Sequence, residues 1–348
     1  MSTRAENLTD WLAQVSEPAI EPGLPVVDVH HHLWPTSPLP GFAPWGVDDA
    51  IEYKINSGHN IVATVHVEAH ANYWEDGPEE LRCVGETEFV EQAANTAENM
   101  GGRAAGLCAG IVGAGDMMLG AEIDKVLAAH QTASPGRFRG IRFNIANDPD
   151  WVAPKGFELE AGLTKKPEFY AAFERLTERN LSFDTWLMHP QLVEVAELAD
   201  AFPETTIVVS HVGSPLGIGR FSGGAGFDDW RDKLAECAAR PNVILKLGGL
   251  HLSYTGLGVD ADAPRPRTSS EMADAHGRHI ITAIDIIGAS RCMFESNFPV
   301  DGMHTNGTVL WNAFKKITAD LNPADRKELF SGTAIRVYHL SIPSLQIK

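Results

Sequence analysis

The chain has 348 residues, 44% of them apolar, enough for a large buried core and of a length that suits one α/β barrel, where roughly 250 residues is typical and more than 400 occurs. Its formal charge of −18 excludes an extended nucleic-acid-binding face but leaves an anionic substrate open, because a local Arg/Lys pocket can override the field of the whole molecule. No apolar run approaches membrane-span length, and Met1 to Glu21 lacks the basic and apolar regions of a secretory leader, so a soluble cytoplasmic protein with no membrane or nucleic-acid partner is expected.

In chain order, short β-branched runs alternate with helix-like stretches. The first run, 25–30, leads into His30, His31 and His32. Strand side chains alternate, so His30 and His32 share a face and His31 points the other way. Run two, 61–68, carries His66 and Glu68 and is followed by His70. A loop, 69–85, holds Tyr73 and Trp74 before a helix over 86–99. Run three, 103–112, precedes a helix over 117–130, and run four, 138–144, carries Arg142 and Asn144 before a helix over 167–180. Run five, 181–188, ends at His189 (helix 192–202). Run six, 205–211, ends at His211 (helix 228–239). Run seven, 242–247, carries Lys246 (helix 269–287). Run eight, 291–296, continues through Glu295, Asn297 and Asp301 (helix 306–321).

These runs are near-continuously apolar, as strands covered on both faces are. Eight strand–helix units imply parallel strands with right-handed crossovers, closed into a single (β/α)8 TIM barrel. The barrel is expected over 24–340, with an N-terminal extension over 1–23 and a tail over 341–348. The four cysteines are scattered with no CxxC spacing. Cys108 and Cys292 read as reduced core thiols. Two further loops, 213–227 and 248–267, are rich in glycine and either shape a pocket or are surface insertions.

In a barrel the active face lies at the C-terminal ends of the strands, and the polar residues named above collect there. His30 and His32 suit metal binding or proton transfer. Arg142 and Lys246 have two readings. Either they clamp a substrate carboxylate or a developing oxyanion, or they pair with a barrel carboxylate such as Asp184 or Glu68. His66 faces either the site or a helix. Trp34 and Trp45 form either a pocket rim or core.

The segments Asp28-Val29-His30-His31-His32, Leu187-Met188-His189-Pro190-Gln191-Leu192, Ser210-His211-Val212-Gly213 and Met293-Phe294-Glu295-Ser296-Asn297-Phe298-Pro299 resemble the amidohydrolase-related TIM-barrel hydrolases. The sugar-lactone and 2-pyrone-4,6-dicarboxylate lactonase branch is the most similar, over about 24–340. The resemblance implies that His30, His32 and His189 hold a divalent metal, zinc first and manganese second, or that no metal is used. It implies that His211 orients or deprotonates water or polarises the scissile carbonyl. The family's strand-eight Gly-Ser-Asp-Trp-Pro motif usually supplies an Asp where this chain has Asn297, which cannot serve as a base. His211, Glu68, Glu295 or Asp301 must then take that role. Glu295 shares the facing of Asn297, as a substitute base or as a partner fixing a histidine tautomer.

The catalytic set expected is therefore His211, Arg142, Glu295, Asn297 and Lys246, with Glu68, Tyr73, Trp74 and Asp301 contacting a small, carboxylate-bearing substrate. The reaction expected is hydrolysis of a lactone or ester, or of an amide. Non-oxidative decarboxylation of an aromatic or unsaturated acid is the alternative enzyme reading, and a catalytically idle binding barrel the non-enzymatic one. The oligomeric state is open, a homo-oligomer included.

Overall fold

The computed structural model describes residues 7–36, 42–154, 156, 158–258 and 263–342. Parts of the expected N-terminal extension (1–6), of the loop 248–267 (259–262) and of the C-terminal tail (343–348) lie outside the described residues. Eight parallel strands run in sequence order around one sheet. They are β1 (Pro25–His31), β2 (Asn60–Val67), β3 (Gly110–Ala114), β4 (Phe138–Arg142), β5 (Ser182–Thr185), β6 (Ile207–Val209), β7 (Val243–Leu247) and β8 (Cys292–Phe294). After the short α1 (Leu8–Leu12), the helices between strands are α2 (Val47–Asn56), α3 (Val84–Met100), α4 (Ile123–Ala133), α5 (Pro167–Glu178), α6 (Leu192–Ala201), α7 (Gly226–Ala238) and α8 (Ser269–Ile287). Then α9 (Gly307–Ile317), α10 (Pro323–Lys327) and α11 (Thr333–Val337) follow β8. This is the (β/α)8 barrel that the sequence predicts.

The strands read as continuous apolar runs because both faces are covered. Val26, Ile141, Phe183, Ile207, Val209, Leu245 and Phe294 pack outward against the helices. Val27, Val29, Val65, Val67, Val112, Val208, Ile244 and Met293 fill the interior, which Tyr338, Leu340 and Ile342 seal from below. Three elements depart from the sequence reading. β3 starts at Gly110, not 103, because Gly101, Gly102, Gly106 and Cys108 adopt positive φ and turn the chain. The helix expected over 117–130 begins at Ile123, because Gly120 breaks the turn before it. α2 carries too few apolar residues to register as amphipathic, with Ala50, Ile51 and Lys54 its buried members.

The seam between β1 and β8 closes without a regular ladder. Asn297 N donates to His30 O (2.8 Å), His32 N donates to Phe298 O (2.8 Å), and Ser296 N donates to Asp28 Oδ1 (2.8 Å). Asp28 also accepts from Tyr53 on α2 (3.0 Å), and Tyr53 in turn accepts from Trp311 on α9 (2.8 Å). Burial pushes the Asp28 carboxyl up to about 6. Between Asp28 and His31, β1 advances three residues while β2 advances two, from Thr64 to His66. This bulge re-aims the chain locally: Asp28 meets the helices outside while His30 turns into the mouth of the barrel.

Candidate active site

His30 and His32 do share a face: their Nε2 atoms lie 3.3 Å apart. His31 points the other way, to Thr64 Oγ1 (2.8 Å). His32 donates Nδ1–H to Val67 O (2.8 Å), which leaves its Nε2 lone pair facing His30. Arg142 Nη1 approaches the same His30 Nε2 at 3.4 Å. A guanidinium only donates and the His32 Nε2 only accepts, so the His30 Nε2 finds a partner in either tautomer: Arg142 when it is bare, His32 when it is protonated. Burial, then Lys246 and the neighbouring histidines, hold His30 far below the usual imidazole range; burial, then Arg142, do the same for His32. Both rings are neutral at physiological pH, the form that binds a metal or accepts a proton.

Glu295 joins this pair to His211. Its Oε1 accepts the His211 Nδ1–H (2.8 Å) and the His211 backbone N–H (2.9 Å). Its Oε2 lies 2.8 Å from His30 Nδ1. The sequence left two readings for Glu295, and the contacts are those of a tautomer-fixing partner. With its proton committed to Nδ1, His211 presents Nε2 as a free base.

The backbone here is strained. His211, Val212 and Ser214 have φ of 57°, 56° and 46°, and Asn297 has 54°. A β-branched residue such as Val212 rarely enters this region. Such conformations cost on the order of 1–3 kcal/mol each and persist only where the surroundings enforce them. Two glycines of β7's outgoing loop make room: a Cβ on Gly248 would sit 2.5 Å from Glu295 Cγ, and one on Gly249 (φ 65°) 2.2 Å from His211 Nδ1.

A cavity of about 660 Å³ opens over the ends of β2, β3 and β4, lined by Glu68, His70, Tyr73, Glu79, Glu80, Arg82, Asp116, Arg142 and Asn144 among others. Arg142 belongs to both places, because it lines the cavity and touches His30. Its Nε donates to Glu68 Oε1 (2.7 Å) and its Nη2 bonds to Glu68 O. Burial alone would raise the Glu68 carboxyl, but Arg142 brings it down to about 2. The ion-pair reading of Arg142 is therefore met by Glu68. Lys246 lies deeper, 2.9 Å from Asp184 Oδ2 and fully buried. Tyr338 (2.6 Å) and Ser182 (3.1 Å) also donate to Asp184. Lys246 is thus an ion-pair partner beneath the histidines and does not line the cavity.

The expected metal trio His30, His32 and His189 does not converge. His189 Nδ1 accepts from Leu216 N (3.0 Å) and its Nε2 donates to Asp229 Oδ2 (3.0 Å). Both ring nitrogens are used, and the ring turns away toward α7. Its position at the end of β5 is as expected; the side-chain direction, set by the following turn, is not. Among the described residues, one group of donors could hold a metal: His30, His211 and Glu295, whose ligand atoms lie within 4.8 Å of one another. Two imidazoles and a carboxylate suit zinc with an open fourth position. His30 Nδ1 and Glu295 Oε2 are buried and, though close, too misaligned for a hydrogen bond. The donor set therefore fits a divalent cation.

Asn297 donates Nδ2–H to Asp301 Oδ1 (3.0 Å), and His251 Nδ1 donates to Asp301 Oδ2 (3.0 Å). Burial alone would raise Asp301, but His251 holds it below the usual carboxylate value. Asp301 is thus a buried anchor for Asn297, and it does not line the cavity. Tyr73 lines the cavity, with its hydroxyl 3.4 Å from His70 Nδ1. Trp74 turns away and donates to Glu88 on α3 (3.0 Å). His66 faces outward to Glu86 (3.2 Å). Trp34 is buried, bridged to Trp45, and stacks on His32 at 5.6 Å. Sequence reasoning passed over Gly249, His251 and Arg82. The glycine pair after β7 was the one available signal for the first.

The chain belongs to the amidohydrolase family, whose model matches residues 27–340. It is 27% identical over 334 residues to the uncharacterized protein y4mH of Sinorhizobium fredii, covering 90% of this chain and 98% of that one. It is 27% identical over 215 residues to an L-fucono-1,5-lactonase of Burkholderia ambifaria, covering 60% of this chain and 63% of the lactonase. A zinc-bound amidohydrolase of Burkholderia multivorans shares the fold at TM-score 0.66, with 20% identity and coverage of 91% and 99% of the two chains. No helix among the described residues is long and apolar enough to cross a membrane.

Proposed function

We propose that this protein hydrolyses a small-molecule lactone or related ester, with an amide as the lesser possibility. The observation that carries this reading is the His211–Glu295 pair, held on a strained turn beside the neutral His30–His32 pair. Glu295 fixes the His211 tautomer, so Nε2 accepts a proton from the attacking water. The new C–O bond forms as the carbonyl electrons move onto oxygen. Arg142, which lies between the cavity and His30, supplies positive charge to that oxyanion. Collapse breaks the ring C–O bond, and the His211 Nε2–H protonates the departing alkoxide, giving a hydroxy acid. His30, His211 and Glu295 are the donors that would hold a divalent ion, zinc by donor type; with such an ion bound through His211, that ring would no longer serve as the base, and the ion would supply the activation in its place by polarising a carbonyl and lowering the pKa of water. The lactonase among the relatives supports the same reaction class.

The test is a panel of lactones, esters and aromatic acids, followed by acid release and by carbon dioxide release. Acid release from at least one lactone without carbon dioxide is the expected result. Carbon dioxide from an aromatic acid would replace hydrolysis with decarboxylation, and binding without turnover across the panel would point to an idle barrel.

A further inference from the structure

We infer that Arg82 and Asn144 form the recognition subsite of the cavity, with Arg82 taking a single carboxylate of the ligand and Asn144 a hydroxyl beside it. This deepens, and rests on, the hydrolytic reading above, because it names the class of molecule the site accepts. Both residues line the 660 Å³ cavity. They arrive from different places, Arg82 from the loop after β2 and Asn144 from the end of β4.

Two cations reach this cavity, and their situations differ. Arg142 is paired along its Nε and Nη2 edge with the side chain and carbonyl of Glu68, which leaves Nη1 toward His30. Among the described residues, the Arg82 guanidinium has no ion-pair or hydrogen-bond partner, and its Nε is buried. Glu79, Glu80 and Asp116 line the same cavity, yet none of them pairs with it. A buried donor on a charged group left unmatched is costly, and the planar fork of arginine matches a carboxylate. Asn144 shows the complementary feature: its Oδ1 is buried and also unmatched. Reversing the amide would only exchange an unmet acceptor for an unmet donor. A hydroxyl, which both donates and accepts, satisfies either orientation.

The remaining walls set the charge of the ligand. Glu68, Glu79, Glu80 and Asp116 already bring negative charge to the cavity, so a dianion or a phosphate is repelled, whereas additional hydroxyls find acceptors. The class is therefore a hydroxylated lactone bearing one carboxylate, whose ring opening creates a second carboxylate and so favours release of the product.

Calorimetry with three probes tests this. Gluconate carries one carboxylate and hydroxyls, sorbitol the hydroxyls alone, and hexanoate the carboxylate alone. The wild-type protein is expected to bind gluconate about ten-fold or more tightly than either of the others. Arg82→Gln should reduce gluconate affinity to the level of sorbitol, Arg82→Lys should restore only part of it, and Asn144→Ala should bring gluconate toward hexanoate. Unchanged melting temperatures would show that the variants are folded. Equal binding of sorbitol and gluconate by the wild type, no gluconate binding at all, or an unaffected Arg82→Gln variant would overturn the subsite. Gluconate binding lost in Arg82→Gln, with no lactone turned over by the wild type, would instead leave the subsite standing and remove the hydrolytic reading.

Discussion

The two halves of the barrel mouth differ in how completely their polar groups are matched, with the Ser210 hydroxyl after β6 the exception on the fuller side. On the side of β5 and β6, both nitrogens of His189 are filled by Leu216 and Asp229. Trp186 donates to Tyr254 (3.0 Å), which reaches Ser214 (3.3 Å). Arg220 straps the loop after β4 to the loop after β6 through Asp148 (2.6 Å). On the side of β2 to β4, the cavity holds the unmatched Arg82 and Asn144. The His30–Glu295–His211 group stands at the β8–β1 seam with its own unmatched atoms. A polar group whose partners are all internal supports the fold, whereas one left unmatched at the wall of a cavity is available to a ligand. That distinction separates His189 from Asn144 although both follow barrel strands.

The comparison can be broken most severely at Gly249. Alanine there would place a methyl against His211 in a backbone region that disfavours side chains. Gly249→Ala is expected to lower kcat by about as much as losing the base itself, ~10²–10⁴-fold, and an unchanged kcat would show that His211 is not held where the reaction needs it. Removing one member of the buried pair under the histidines should act on stability. Lys246→Met would leave Asp184 unpaired at a cost of about 3–5 kcal/mol, read by denaturant unfolding. Lys246→Met/Asp184→Leu should recover much of that loss, and no recovery would contradict the pairing.

Acid should weaken the fold. Burial lowers His130 to about 4 and His276 to about 3. Below the ordinary value of 6.5 the unfolded chain takes up protons that the folded one refuses, so stability falls as pH drops. The loss is up to about 1.4 kcal/mol per pH unit for each group. Asp28, raised to about 6, acts oppositely between 3.8 and 6, because there the folded state holds the extra proton. One carboxyl against two imidazoles leaves a net loss, and melting temperatures at pH 5 should lie below those at pH 7.5. The smallest effect is expected at the matched half. His189→Gln should leave metal content unchanged, while His30→Ala should abolish it, as elemental analysis would show. Loss of metal in His189→Gln would restore the ligand role that the sequence suggested.

The barrel was legible because burial on both strand faces writes itself as eight apolar runs. The positions of His30, Arg142, His211 and Glu295 followed, since strand ends carry them to one face. The bulge in β1 was not legible, because it depends on the pairing with Thr64 and His66. The direction of His189 depends on the turn after β5 and its contact with Leu216, which no spacing reveals. Arg82 was invisible for a different reason: having no partner is a property of the folded surroundings, and the sequence around it reads as an ordinary charged loop. α2 was missed because its burial rests on Ala50, Ile51 and the stem of Lys54.

The most direct test of the central claim is the turnover of the best lactone substrate by Glu295→Gln, compared with the wild type at matched stability. The amide keeps an oxygen for the His211 Nδ1–H but loses the negative charge behind it. A kcat reduced by two or more orders of magnitude with KM little changed is the expected result. A kcat within a few-fold of the wild type would show that the His211–Glu295 pair does not carry the reaction.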